Sequence, residues 1–468
     1  MMNEKPTLKS LLETSAGKKL LLLGKEQIFT QKEIERFLKR FKVTPVKYLE
    51  EGVVGVVENH RLNPVEEDIS NEAYEQNLPI YKLSEFEQLL SEEIDDDALL
   101  MAIKLGNDQE RVVRLLGNEH LSDTLFVRLL KLYTFNSDEE DNRQDRDVIM
   151  YTLRRYIDIK PNEEDLLYSY LTLRRLATEA TDPELLKALL NFPNFEFLVR
   201  GREKITLQET IARNPHIDEE TVRKLLATRK ISVLRALAGN SAITNEVQKH
   251  LLAQNDEAID KALAVNSAID DVIFDALLER GDEAVSLLLL YQPIDEIRFE
   301  KVRKAVSDAE HFALIGANEM LEADVIEALA VMENDTLWQM LAGNGTVPGG
   351  VLSELYKKGG RQVQLALAKN PATPEAILET LYERAEDDTQ MLAALAHNPS
   401  LPEDRLRALF ERDSFEINRG LATNASLPPE LLDILKIDTR LQSELAQNEQ
   451  LARSYEAVLK QNKAMMNV

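Results

Sequence analysis

The chain has 468 residues, 44% hydrophobic and 6% aromatic, with no cysteine and a formal net charge of −26. That is enough apolar material for two or three domains and too much for general disorder. The lack of cysteine excludes disulfides, thiolate metal sites, cysteine-ligated clusters and cysteine nucleophiles, and so acidic a surface repels phosphate backbones and disfavours nucleic acid.

The opening MMNEKPTLKSLLETSAGKKLLLLG does not have the arrangement of a signal peptide. Its LLLL run is too short for the apolar region and reads as a strand. No run approaches the ~20 apolar residues of a membrane-spanning helix, so the expected location is the cytoplasm, with no membrane partner. Next, TQKEIERFLKRF predicts a helix, capped by Thr30 with Glu33 completing a capping box. PVKYLEEGVVGVVEN reads as two strands around a turn at Glu51–Gly52. SNEAYEQN reads as a short helix, LPIYK as a strand and SEFEQLLSE as a capped helix. The order βαββαβα predicts a small α/β domain over residues 1–92. Residues 1–90 carry a balance of −2 and the rest of the chain −24. The charge break agrees with a boundary at the acidic run SEEIDDD, Ser91 to Asp97.

From residue 93 the dominant signal is repetition. Asn214, Asn240, Asn266, Gln292, Asn318, Asn344 and Asn370 recur every 26 residues, and Asn398, Asn424 and Asn448 follow at spacings of 28, 26 and 24. Upstream, Asn118 occupies the same slot, and Glu179 fills it in LATEATDPELLKALL. Such a period predicts a solenoid. Each unit reads as a first helix ending at the slot, where asparagine suits a left-handed backbone. A turn follows, then a second helix starting four residues on. Asp218, Thr244 and Asp270 suit its cap, and Pro348, Pro374, Pro402 and Pro428 suit its first helical position. Neither helix can bury its apolar stripe alone, so stacked neighbours build one continuous core. The asparagine column is expected to be structural, ending helices and bonding backbone in the turn. A row of amides gripping an extended peptide is the alternative. The array reads as irregular over 93–210, regular over 211–455 and capped by 456–468. Two breaks interrupt it: NSDEEDNRQDRD (136–147) as an acidic loop, and FPNFEFLVRGREKITLQ (192–208), which stretches one repeat.

The phrases LAKNPATPEAILETL and LAHNPSLPEDRLRAL resemble the leucine-rich repeat variant family of bacterial proteins. The resemblance covers about 200–455 clearly and 95–200 in degraded form. It implies a mainly α chain: a right-handed α-solenoid of about a dozen ~26-residue units, nearer the HEAT type because the units are long. It implies a binding scaffold and no reaction. At helix separations of ~8–10 Å such a stack is on the order of 100 Å long.

The N-terminal segment resembles the BRCT domain. Leu21–Gly24 would be its first strand and glycine turn, and Val53–Val57 the buried third strand. Ala73 would be the small residue of the second helix, and Phe86 stands where that family usually has tryptophan. The resemblance implies protein contacts or self-association. The family's phosphate-binding positions fall on Leu23 and Ile69, neither of which binds phosphate, with Lys25 nearby.

No catalytic motif emerges. The six histidines, His60, His120, His216, His250, His311 and His397, make no metal pair. Carboxylates are too numerous for sequence to nominate an acid/base couple. KKGGRQ (357–362) reads as an interhelix turn, and Trp338 as a packed aromatic. No catalytic residue, metal or cofactor is expected. The reading is a non-enzymatic, acidic protein–protein interaction scaffold that takes a protein or peptide, preferentially a basic one, along the concave face. An enzyme accessory or lyase-like helical-repeat protein acting on a small molecule is one alternative. A nucleic-acid-associated protein is the other, and KKLLLLGK and ERFLKRFK are its only basic stretches in the N-terminal domain.

Overall fold

The computed structural model describes residues 6–24, 28–135, 142–157, 170–198, 204–306 and 309–448. Lys25 and the C-terminal cap at 456–468 lie outside them. The chain is mainly helical, with 29 α-helices among the described residues and a small parallel sheet near the N-terminus. It packs as two compact units, Met1–Leu237 and Ala238–Val468.

The first unit opens with a helix that the pattern analysis missed, α1 (Leu8–Thr14), which buries Leu8, Leu11 and Leu12. Strands β1 (Lys19–Leu23), β2 (Thr44–Val46), β3 (Val53–Glu58) and β4 (Ile80–Lys82) form one sheet in the order β2-β1-β3-β4. All pairings are parallel, with Leu21 opposite Val46 on one side and Val56 on the other. β2 and β3 are therefore not a hairpin pair: each flanks β1, and the Glu51–Gly52 turn leads into β3 with Gly52 at φ +89°. Helix α2 (Gln31–Arg40) starts at Thr30, whose N–H donates to Glu33 Oε2 at 2.8 Å. Helix α3 (Pro64–Glu75) is longer than the expected SNEAYEQN, because Asn63 caps it a turn and a half earlier. Helix α4 (Leu83–Glu93) starts after Lys82 without a side-chain cap, so Ser84 lies inside it. The core joins Leu21, Leu23, Val56 and Ala73, with Ile69 packed against it. Phe86 is fully buried and meets Phe37 edge-on at 5.8 Å between centroids.

Helices continue from Asp96. The segment expected as an acidic loop is helical from Arg143, with Asn142 accepting the Gln144 N–H at 2.9 Å; residues 136–141 lie outside the described set. The stretched repeat holds a short antiparallel pair, Glu196–Leu198 with Lys204–Thr206, that buries Phe197 and Ile205.

In the second unit the helices alternate in a repeat-like manner. Asp335–Gly343, Arg361–Lys369, Thr389–His397 and Phe415–Thr423 stack successively on one side. Glu296–Ala305, Ala323–Ala330 and Gly349–Lys358 do so on the other. Asp218, Thr244 and Asp270 are N-caps as expected. The prolines Pro348, Pro374, Pro402 and Pro428 are N-caps as well, one position before the expected first helical residue. The cap residue has extended backbone, which a proline at φ near −60° satisfies, and it needs no N–H of its own. The KKGGRQ glycines end one helix and start the next, Gly359 closing Gly349–Lys358 and Gly360 opening Arg361–Lys369.

Candidate functional site

The asparagine column is the first candidate, and its geometry differs from the expectation. Asn344, Asn370, Asn398 and Asn424 have φ between −80° and −74° with ψ between 115° and 121°, which is extended rather than left-handed backbone. Left-handed residues instead close second helices, at Arg229 and Asn255, fifteen residues beyond Asn214 and Asn240. Asparagine is placed at the slot for its side chain, which bonds in two directions.

Its Oδ1 accepts the N–H two residues on, closing the turn. This holds at Asn118, Asn214, Asn240, Asn266, Asn318, Asn344, Asn370, Asn398 and Asn424, at 2.7 to 3.0 Å. Its Nδ2 reaches back a whole repeat and donates to two carbonyls. In Asn370 these are Ala342 O at 2.7 Å and Asn344 O at 2.9 Å, and in Asn398 they are Ala368 O at 2.9 Å and Asn370 O at 2.8 Å. Asn266, Asn318, Asn344, Asn424 and Asn448 repeat the pattern. Gln292 keeps it with Nε2 to Ala264 O and Asn266 O. Because each slot carbonyl receives the next slot's amide, the links run unbroken from Asn448 to Asn240. The amide column is buried, with no asparagine or glutamine of the slot from Asn118 to Asn448 more than 5% exposed, so it offers no amide to a partner.

This geometry explains the rest of the phrase. The residue two before the slot lends its carbonyl to the next repeat and is small: Ala238, Ala264, Gly316, Ala342, Ala368, Ala396 and Ala422. The residue three before it is core, as at Leu341, Leu367, Leu395 and Leu421, all fully buried. In the first unit Asn214 donates to Ala180 O at 2.9 Å as well as to Ala177 and Thr178, which puts Ala180 in the slot. Glu179, assigned there by sequence, is exposed and pairs with Arg175 on its own helix. Asn118 donates instead to Ser91 Oγ at 2.8 Å.

The second candidate is a trough of about 1210 Å³ across the first helices of the second unit. Its floor carries small residues, Gly343, Ala366, Ala393 and Gly420. At Gly420 the helices approach so closely that a Cβ would sit 2.5 Å from Ala393 O. The walls mix polar and apolar groups and carry the amides of Gln339, Gln362, Gln390 and Gln447. The lining has three carboxylates, Glu319, Glu416 and Glu444, against Lys369 and Arg419. Arg419 pairs with Glu444 at 2.8 Å, so the trough does not concentrate the chain's negative charge. His397 lies in it, bonded to the Thr423 hydroxyl; enclosure and the nearby Lys369 charge hold its pKa below the usual imidazole value. Sequence reasoning did not find the trough, because its residues come from helices more than twenty residues apart.

Charges on the second helices instead tie neighbouring units together. Arg405 pairs with Glu379 at 2.7 Å, Lys301 with Asp275 at 2.8 Å and Arg298 with Asp271 at 2.8 Å. Trp338 is half-buried beside the fully buried Leu337 and Leu341. Among the described residues no three His, Asp or Glu side chains converge on a metal position, and no helix is long and apolar enough to cross a membrane.

At the N-terminal sheet, Leu23 is buried and Ile69 packs on the core. The N–H of Gly24, at φ +87°, donates to Glu66 Oε1 at 3.1 Å. A carboxylate thus occupies the donor that an anion at this turn would need. Comparison with family models, curated proteins and solved structures finds no match to this chain in any of the three.

Proposed function

We propose that the protein is a non-catalytic interaction scaffold, in which a right-handed α-solenoid of about a dozen units presents a binding trough and the N-terminal segment is a BRCT-like docking domain. The observation that carries this reading is the trough in the second unit, with its floor of small residues and its glutamine walls. An amide side chain offers two donors and an acceptor, matching the mixed demands of a peptide backbone. Small floor residues let that backbone approach closely. We read the occupant as an extended protein segment. Its selection rests on amide hydrogen bonding, since the trough is nearly balanced in charge.

The parallel order β2-β1-β3-β4 supports the BRCT-like reading. Glu66 on the Gly24 N–H argues for plain docking or self-association over phosphopeptide capture. The fused turn-and-ladder role of the asparagines supports the solenoid, since it bonds each unit to its predecessor. The test is affinity capture from cells of the source organism, with the full chain and a Gln362→Trp/Gln390→Trp variant as baits. Both positions are exposed, so the variant fills the trough without entering the core. One protein held near stoichiometric yield by the native bait and lost from the variant is the expected result. Equal recovery on both baits, or no enriched protein on either, defeats the proposal.

A further inference from the structure

The trough of the second unit carries the period of the helices that cross it. Asp335–Gly343, Arg361–Lys369, Thr389–His397 and Phe415–Thr423 follow one another along its floor. They are in direct contact, since a Cβ at Gly420 would lie 2.5 Å from Ala393 O and 3.0 Å from the Ala396 Cβ. Helix axes in such contact lie ~8–10 Å apart, so one unit advances the floor by about 9 Å. The lining repeats with the units. Ala366, Ala394 and Gly420 each stand four residues before their slot asparagine, and Gln362, Gln390 and Glu416 each stand eight before theirs.

A ligand that makes the same contact with every unit must also repeat every ~9 Å. A β-strand does not. Its side chains return to one face every two residues, ~6.6 Å apart, and its third residue, ~10 Å along, points away from the floor. A polyproline II helix does, because about three residues per turn, rising ~3.1 Å each, bring the same face back every ~9.3 Å.

The hydrogen-bonding groups at the centre of the trough agree. Gln362 is exposed, and its amide has no partner among the described residues. Gln390 has its carbonyl taken by Arg361 at 3.2 Å, which leaves its amino group as a donor. Lys369 is exposed and has no ion-pair partner among the described residues. A polyproline II backbone makes no internal hydrogen bonds, so its carbonyls are free to receive these donors. Proline brings no N–H to be satisfied in return. The charges left after Arg419 pairs with Glu444 nearly cancel, Glu319 and Glu416 against Lys369, which suits an uncharged segment.

Resting on the reading of this trough as a groove for a protein segment, we propose that its occupant is a proline-rich segment in the polyproline II conformation. It lies across the first helices with about three residues to each unit, so the stretch in contact with the floor is about ten residues long.

The test is fluorescence anisotropy of three labelled, end-blocked peptides of about ten residues, titrated with the full chain. One is all L-proline, one is its D-proline mirror image, and one alternates Thr and Gln and favours the β conformation. The expected result is saturable binding of the L-proline peptide, at least about tenfold tighter than either of the others. Being uncharged, it changes affinity by less than about twofold between about 50 mM and about 300 mM salt. Gln362→Trp/Gln390→Trp weakens it about tenfold or more. Glu383→Trp, exposed on a second helix outside the trough, is the control and shifts affinity by less than about twofold. Both variants change exposed residues, and thermal melts matching the native chain show that they fold. If the Thr–Gln peptide binds and the L-proline peptide does not, the proposal falls while the reading of the trough stands. The proposal is equally overturned if none of the peptides binds, if the D-proline peptide binds as tightly, or if the double variant binds like the native chain.

Discussion

At the scale of single residues, the slot asparagine does three jobs that no other side chain combines. It accepts within its own turn and donates twice to the preceding repeat, all in a buried setting. A net hydrogen bond contributes about 0.5–1.5 kcal/mol, and a buried carbonyl left without its donor costs about 1–3 kcal/mol. Asn398→Ala strands Ala368 O and Asn370 O together. It is expected to lower stability by about 2–5 kcal/mol, read from urea unfolding. Asn398→Asp retains the acceptor but buries a charge against two carbonyls, so it falls below the alanine variant at neutral pH and recovers partly in acid. Gln292 shows the reverse partition. It keeps both backward bonds, while the N–H two residues on, at Ile294, turns to Met320 O at 3.3 Å. The slot was legible in sequence because its period is exposed by alignment. The reason for asparagine was not, because the carbonyls it reaches lie 24 to 37 residues away. The signal that could have shown it is the small residue two positions before each slot, which marks a close approach from a neighbour. Glu179 was misplaced for the same reason: the extended repeat breaks the count, and only the bond from Asn214 to Ala180 restores it.

At the scale of elements, helices were legible wherever apolar residues recur at three and four with a cap in front. The Thr30–Glu33 box and the Asp218, Thr244 and Asp270 caps are of that kind. α1 went unread because a seven-residue helix gives too little periodicity to stand out. The pair Glu196–Leu198 with Lys204–Thr206 is shorter still, with three residues in each strand. Neighbouring second helices are joined by ion pairs, and the Lys187 cluster is the most connected. Lys187 Nζ donates to Asp218 Oδ2 at 3.1 Å and to Glu220 Oε2 at 2.6 Å. Burial pushes the Asp218 carboxyl up, but hydrogen bonds from Thr221 and Lys187 outweigh it and hold the pKa below the ordinary 3.8. A carboxyl depressed in the folded state adds stability above its unfolded pKa, and that increment is lost as pH falls through the folded value. Lys187→Met is therefore expected to destabilise the chain by a constant amount above pH ~5, with the difference shrinking below pH ~4. Thermal melts of both proteins across that range measure it. A difference that instead grew in acid would contradict the assignment.

At the scale of the molecule, the repeat and the family resemblance it carries foresaw a mainly helical chain without saying where its charge would sit. The acidic excess is largely outside the trough, and many second-helix charges are spent on links between units. A chain whose units bond chiefly to their neighbours tolerates the loss of one whole unit. Deleting residues 345–370, the 26 that follow Asn344 and end at the next slot, joins equivalent positions and is expected to leave a cooperative helical fold of lower stability. Deleting 13 of them puts first helices where second helices belong and is expected to abolish the transition. Far-ultraviolet circular dichroism during melting separates the two outcomes.

The most direct measurement of the central claim is site-specific photo-crosslinking in living cells of the source organism. A photoreactive residue at Gln362 faces the trough, and one at Glu383 is exposed on a second helix outside it. The scaffold account predicts a discrete crosslinked polypeptide from Gln362 and none from Glu383. Equal products from both positions, or none from Gln362, would contradict it.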